Sequence, residues 1–370
     1  MQTKIIALAI AAAMAAPAAA MAAPTVYGQV NMAYEVVDTG SAVAGAGETA
    51  ASRNKVSSNV SRLGIKGSED LGSGLTGVFQ MEGEVKVDDA AAAPFAFNRN
   101  TFLGVAGGFG TVVLGQHDTM YKMATRDMDV FKDSIADNRS LMGLAGINLD
   151  IRASDVLAYV SPDFSGFNFA VAMVGEGDNS LDTKVHPAVD GVVVGLGAGT
   201  ITPATPKTAS ATTLSAQYGM KNWKAVFGYI AANMENVPGA TVVDKYDVTG
   251  TKVGGTFGMN MFSVNAVYEM TQLKATGGKV EQDNVYVSGT VNVGSAGKVK
   301  LAYTMAGELK LDGTALKNTG ASQVSVGYDH ALTKNTTLFA LYSMIGNDKG
   351  ATYGFTSSGS TGDLTAADLA

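Results

Sequence analysis

Asn284–Val285–Tyr286–Val287–Ser288–Gly289–Thr290–Val291–Asn292–Val293 decides the fold. Side chains alternate faces along an extended chain, so Val285, Val287, Gly289, Val291 and Val293 fall on one side. Asn284, Tyr286, Ser288, Thr290 and Asn292 fall on the other. The same period of two recurs outward from this stretch. Phe262, Val264, Ala266, Tyr268 and Met270 form an apolar row opposed by Ser263, Asn265 and Glu269. Val299, Leu301, Tyr303 and Met305 are backed by Lys298, Lys300 and Thr304. Trp223, Ala225, Phe227, Tyr229 and Ala231 make another row, as do Phe167, Phe169, Val171 and Met173. Such runs reach about 9–11 residues, which suits a tilted strand crossing a bilayer. Strands of soluble proteins are typically about 5–6 residues long.

Fifteen segments between Thr25 and Ile345 carry the pattern. Among them are Thr25–Val37, Val56–Lys66, Leu75–Val87 and Thr256–Met270. The weakest is Leu273–Glu281, interrupted by Gly277 and Gly278. Short gaps such as Glu69–Gly74, Gly107–Gly110, Asp163–Gly166 and Thr333–Thr336 alternate with long ones such as Asp38–Lys55, Asp118–Arg152, Glu176–Ser210 and Asn233–Gly255. Short turns on one rim and long loops on the other are the pattern of a transmembrane barrel. Closure has a physical cause. In hydrocarbon every backbone N–H and C=O must find a partner, so only a ring of strands survives there. The apolar rows then face lipid and the polar rows a water-filled lumen. Tyr27, Tyr159, Trp223 and Phe339 near strand ends fit aromatic girdles.

The rest of the chain narrows the class. Met1–Lys4 is a short basic start, Ile5–Ala20 an Ala-rich apolar run, and Ala20–Met21–Ala22 a small-x-small cleavage pattern. Residues 1–22 read as a secretory signal peptide, and 23–370 as one barrel domain. Despite export the 370 residues hold no Cys, so no disulfide scaffold supports the fold. A formal net charge of −7 makes nucleic acid a poor partner.

Several stretches closely resemble the general Gram-negative porins. They are Ser61–Arg62–Leu63–Gly64–Ile65–Lys66–Gly67–Ser68–Glu69–Asp70–Leu71–Gly72–Ser73–Gly74–Leu75, Asn98–Val105 followed by Gly107–Gln116, Tyr159–Phe167, and Tyr328–Ala340. They occur in the family's order and span most of the chain. The resemblance implies an all-β, transmembrane antiparallel barrel of sixteen strands in the outer membrane. It also implies a homotrimer among outer-membrane lipid and lipopolysaccharide, passing small hydrophilic solutes and ions by passive diffusion. With about fifteen strands visible and an ending at Asp368–Leu369–Ala370, the closing C-terminal strand is expected to be missing.

In the resembled family a long loop folds into the lumen and sets carboxylates against basic groups on the facing wall. The gap Asp118–Arg152 is the candidate here. It carries Asp127, Asp129 and Asp133, with Arg126, Lys132, Asp137 and Arg139 beside them. Asp129 and Asp133 are the leading loop candidates. Period-two reading points Arg62 and Lys66 into the lumen, since Leu63 and Ile65 face lipid. Arg99 is expected inward too, with Phe102 on the opposite face. Gln80, Glu82 and Glu84 share one face of their strand as pore-lining groups. With the acidic total, Glu82 and Glu84 lean the pore toward cations. Opposed charges in a narrow section select solutes by charge.

Signals of chemistry are weak. His117, His186 and His330 lie far apart with no metal-ligand spacing. No G-x-S-x-G elbow or complete P-loop occurs. The reading assigns no catalysis, metal or cofactor. Its rivals are a substrate-specific channel, a barrel enzyme and a surface adhesin.

Overall fold

The computed structural model describes residues 22–38, 52–88, 95–177, 208–235, 245–275 and 278–355. Its strands are β1 (Ala22–Gln29), β2 (Met32–Asp38), β3 (Ser52–Ser58), β4 (Arg62–Gly72), β5 (Leu75–Val85), β6 (Phe95–Ala96), β7 (Thr101–Gly107), β8 (Gly110–Asp118), β9 (Arg152–Val160), β10 (Phe167–Gly177) and β11 (Thr208–Gly219). They continue as β12 (Trp223–Glu235), β13 (Lys245–Gly258), β14 (Phe262–Ala275), β15 (Gly278–Val293), β16 (Gly297–Ala306), β17 (Lys310–Leu311), β18 (Thr314–Ala315), β19 (Ala321–Ala331) and β20 (Thr337–Asn347). One short helix, α1 (Met120–Thr125), lies between β8 and β9.

Antiparallel registers link the long strands in one series. It runs from β1 through β4, β5, β7, β8 and β9, then in order from β10 to β16, and ends with β19 and β20. Among the described residues no register joins β20 to β1. The sheet nevertheless curls into a barrel. The single segment between β8 and β9 touches Thr213 on β11, Lys252 on β13, Glu269 on β14, Tyr286 on β15 and Arg62 on β4. A flat sheet cannot bring strands so far apart to one loop.

The alternation sorts as the sequence predicts. Leu63, Ile65, Leu103, Leu114, Leu157, Met173, Val253, Val287, Leu301 and Tyr303 stand exposed on the outer face. Asn265, Glu269, Asn284, Ser288, Thr304, Gln323 and Ser325 are buried on the inner face. Aromatic pairs such as Tyr218–Trp223, Phe257–Phe262 and Tyr159–Phe169 gather at the short-turn rim, where amphipathic rings suit a membrane interface.

Several expectations change. Thr25–Val37 and Val56–Lys66 are each split in two. The breaks fall at Val30–Asn31 and at Asn59–Ser61, where Val60 takes φ +56° and the backbone N–H of Asn31 donates to Ser61 Oγ at 3.0 Å. Thr256–Met270 is not one strand. It holds the end of β13, the turn Met259–Met261 and most of β14. Much of the expected loop Asn233–Gly255 is strand β13, and Leu273–Glu281 is the far end of the β14–β15 hairpin, with Leu273 paired to Val280. The apolar signal of β13 is thinned by glycines that make room for the loop within the barrel. At Gly250, a Cβ would lie 2.8 Å from the Tyr121 hydroxyl. Tyr27 is not a girdle residue but turns inward, donating to Glu82 Oε2 at 2.9 Å. Phe102 also lies inward, its ring centroid 5.3 Å from that of His117 and tilted by 55°, while Leu103 faces outward.

Residues 1–21 of the expected signal peptide lie outside the described residues, and Ala22 begins β1. Residues 356–370, on which the expectation of a missing closing strand turned, are also outside them.

Candidate functional site

The segment from Thr119 to Ile151 folds along the inner wall. Thr119 caps α1, its Oγ1 accepting from the backbone N–H of Lys122 at 3.3 Å. A Cβ on Gly228 would stand 2.9 Å from that of Ala124, so α1 lies directly on β12. This explains why β12 is apolar on both faces: Val226 and Ile230 point inward against the loop.

Glu269 is the anchor. It is buried, and its carboxylate accepts from the Tyr121 hydroxyl at 2.6 Å, the Gly143 backbone N–H at 2.7 Å and Asn284 Nδ2 at 2.9 Å. Lys252 Nζ pairs with Asp150 and lies 3.5 Å from Glu269, with its ammonium 4.3 Å from the Tyr121 ring centroid. Further along, the Tyr286 hydroxyl donates to Asp129 Oδ1 at 2.9 Å, and Ser288 Oγ to the Met128 carbonyl at 3.1 Å. Buried charges are tolerated when they are paired and hydrogen-bonded, as Glu269 is by three donors and the Lys252 ammonium.

The loop's free side carries alternating charges toward β4 and β5. Arg99 Nε lies 2.5 Å from Glu82, Glu82 lies 3.9 Å from Arg62, and Arg62 lies 3.7 Å from Asp133. Asp133 then pairs with Arg126 at 2.8 Å, Arg126 with Asp137 at 2.7 Å, and Asp137 with Arg139 at 2.8 Å. The ladder thus runs unbroken from wall to loop. Its two signs differ in depth. The side chains of Arg62, Arg99, Arg126 and Arg139 keep 24, 17, 14 and 14 % exposure, whereas those of Asp129 and Asp137 keep none and Glu82 keeps 9 %. Asp133, at 20 %, is the one carboxylate of the ladder that rises to the surface. It sits at φ +61°, a left-handed conformation that Asp tolerates better than most residues.

Burial and charge pull these groups apart. Burial pushes the Asp137 carboxyl up, but the Arg126 and Arg139 guanidiniums overcome it and hold Asp137 well below the usual range. Asp129 goes the other way. Burial, then the Asp137 charge, raise its carboxyl to about 6, against Arg126 and the backbone N–H groups of Asn138 and Phe131. Lys122 is brought down to about 8 by burial, although Asp118 lies 2.9 Å away.

Arg62, Arg99 and Asp133 meet in the ladder, with Glu82 between the two arginines. Lys66 lies on the same inner row as Arg62, with its ammonium 5.2 Å from the Tyr27 ring centroid. Gln80 Nε2 donates to the Asn100 carbonyl at 3.3 Å, and Glu84 pairs with Lys86 at 3.0 Å. Asp127 stands on the loop surface, 2.8 Å from Lys132. Asp129 does not face the open lumen. It is sealed beneath the loop and accepts from Phe131, Asn138 and Tyr286. Sequence reading missed Glu269, Lys252 and Gln282 as loop anchors. A charged group in mid-strand on a polar row was the available signal, but nothing local says what meets it.

The profile of the Gram-negative porins matches residues 7–350. The chain belongs to the Gram-negative porin family. The porin is 29 % identical to outer membrane porin protein 32 of Delftia acidovorans over 322 residues, which is 85 % of this chain and 82 % of that one. A shorter match of 38 % over 135 residues, 36 % of this chain and 34 % of the relative, links it to major outer membrane protein P.IA of Neisseria meningitidis serogroup C. In fold it resembles an anion-selective porin from Comamonas acidovorans, with TM-score 0.69 and 23 % identity over 90 % of this chain and 92 % of that one. The trimer form of OmpT from Vibrio cholerae gives TM-score 0.63 and 18 % identity over 92 and 93 %. As a porin the chain is a β-barrel of the Gram-negative outer membrane, and it forms a channel for passive diffusion.

Proposed function

We propose that the ladder from Arg99 to Arg139 is the pore's selective section and that it favours small hydrophilic anions. One observation carries this: every arginine of the ladder keeps some exposure, while of the carboxylates balancing them only Asp133 keeps as much and Glu82, Asp129 and Asp137 are buried. A passing solute meets the outer layer of charge first, because interaction energy falls with distance and with intervening water. The reading reverses the cation preference expected from Glu82 and Glu84. Glu82 is held by Arg99, Arg62 and Tyr27, and Glu84 by Lys86.

On this reading Arg62, Lys66, Arg99 and Asp133 act in the constriction, Gln80 and Glu84 line the approach, and Asp127 belongs to the loop surface. Asp129 serves as a brace beneath it. The 119–151 segment bounds the eyelet. The porin works as a homotrimer set in lipid and lipopolysaccharide, moves solutes without chemical change, and is exported with residues 1–22 as its signal peptide.

Reversal potential in a planar bilayer across a salt gradient tests the preference. The unmodified porin is expected to favour chloride over potassium. Arg62→Glu and Arg99→Glu should each move the potential toward cation preference. A cation-preferring parent would refute the proposal.

A further inference from the structure

The chain folds into the lumen a second time, after β20. The Asp348 backbone N–H donates to the Gly320 carbonyl at 3.0 Å, and the Gly350 N–H to the Asn318 carbonyl at 2.8 Å. Asn347 then grips the backbone of Tyr353 twice. Its Oδ1 accepts the Tyr353 N–H at 3.0 Å and its Nδ2 donates to the Tyr353 carbonyl at 2.9 Å. Between these ties the strap alternates: Ala351 and Tyr353 are 4 % exposed, and Thr352 and Gly354 face out. Ala351 and Tyr353 enter the same apolar cluster as Leu141, Leu144 and Leu149 of the inner loop.

Gln282 of β15 is the joint between the two segments. It is fully buried. Its Oε1 accepts the Ala145 N–H of the inner loop at 2.8 Å. Its Nε2 donates to the Gly307 carbonyl at 2.8 Å and to the Tyr353 hydroxyl at 2.6 Å. A buried amide with all these partners cannot release one cheaply, because the abandoned group stays desolvated.

We infer that Gln282 and Tyr353 are positioning residues for permeation: residues 348–355 form a strap that seats the inner loop through Gln282, so a segment some 200 positions away in the chain helps set the eyelet. The inference rests on the reading that the 119–151 segment bounds the eyelet. Loop and strap share one apolar cluster and one amide, so lifting the loop exposes both, and the two open as a unit.

The absence of Cys from the chain makes single-thiol probes clean. In the folded, membrane-embedded protein, a membrane-impermeant maleimide should label Ala351→Cys on the order of tenfold or more slowly than Gly354→Cys, since labelling must wait for local opening. Adding Tyr353→Phe, which keeps the ring and removes the hydroxyl, should speed labelling at Ala351→Cys. In planar bilayers Tyr353→Phe should raise open-channel noise, and Tyr353→Ala should also raise single-channel conductance. Retention of the heat-modifiable gel band shows that the barrel is intact. Equal labelling at the two cysteines would show the strap unseated and overturn the inference. Slow labelling with unchanged conductance and noise in Tyr353→Ala would overturn the positioning role. Failure of the anion reading shows separately, in the reversal potential of the unmodified porin.

Discussion

Replacing Glu269 with Ala tests how the inner loop is held. The carboxylate takes three donors, from Tyr121, Gly143 and Asn284, and lies beside the Lys252 ammonium. Glu269→Ala strands the Tyr121 and Gly143 donors, leaves Asn284 Nδ2 with the Gly143 carbonyl, and leaves Lys252 with Asp150 as its remaining carboxylate. A buried donor left without an acceptor costs about 1–3 kcal/mol, so two set a range of roughly 2–6 kcal/mol. The lumen is wet, and water entering the gap will satisfy some of them, which brings the cost toward the lower end. At about 3 kcal/mol the undocked population rises roughly a hundredfold. Glu269→Gln keeps the shape and one acceptor oxygen but turns an amide NH₂ toward donors, so its effect should be intermediate. Single-channel recording reads the outcome. Glu269→Ala should show a larger conductance and frequent steps between levels, with the folded band still present on an unheated gel. Stable currents of parental size in both variants would refute the anchor, and with it the claim that these hydrogen bonds hold the loop.

Two further outcomes follow from the geometry. Asp129 has its carboxyl raised from 3.8 to about 6, so the native loop binds a proton that the unfolded chain does not bind between those values. Its charge therefore weakens the native loop at neutral pH, and that cost is relieved as pH falls through 6. Protonation also removes one negative charge from beneath the arginines, so anion preference should strengthen from pH 7 to pH 5. Asp129→Asn should abolish that step; a pH-independent reversal potential in the parent contradicts the assignment. Leu301 is exposed on the outer face of β16, and Leu301→Arg there should cost up to about 2–4 kcal/mol if the site lies at mid-bilayer. Urea titration followed by the heat-modifiable band measures it, with the lumen-side Lys300→Gln expected to lose far less. Equal losses would mean that the two faces were assigned the wrong way round.

Sequence pattern went furthest where one face touches lipid and the other water. β14, β15 and β16 alternate cleanly, and their rows face as read. The pattern weakened wherever the inner face was covered by protein. β12 is apolar inside because α1 lies on it, and β13 is glycine-rich because Tyr121 needs room beside Gly250. These departures from period two explain why β13 was read as loop and why Leu273–Glu281, a hairpin end, was read as a strand. Among the wall charges, the inward direction of Arg62 and Lys66 was legible because Leu63 and Ile65 fixed their parity. The burial of Asp129 was not, because loop carboxylates have no periodicity to say which are buried.

Alternation along single strands, the spacing of turns and the porin-like stretches were enough to establish an outer-membrane barrel and the direction of most wall side chains. These are local properties, set by the two-residue repeat of extended chain and by the solvent on each side. Which charges pair across the lumen, which carboxylates sink beneath their arginines, and how Glu269 and Gln282 hold segments more than 70 residues distant were decided by the curling of the sheet alone. Contacts of that range depend on the curvature that brings opposite walls together, and no stretch of sequence records the curvature.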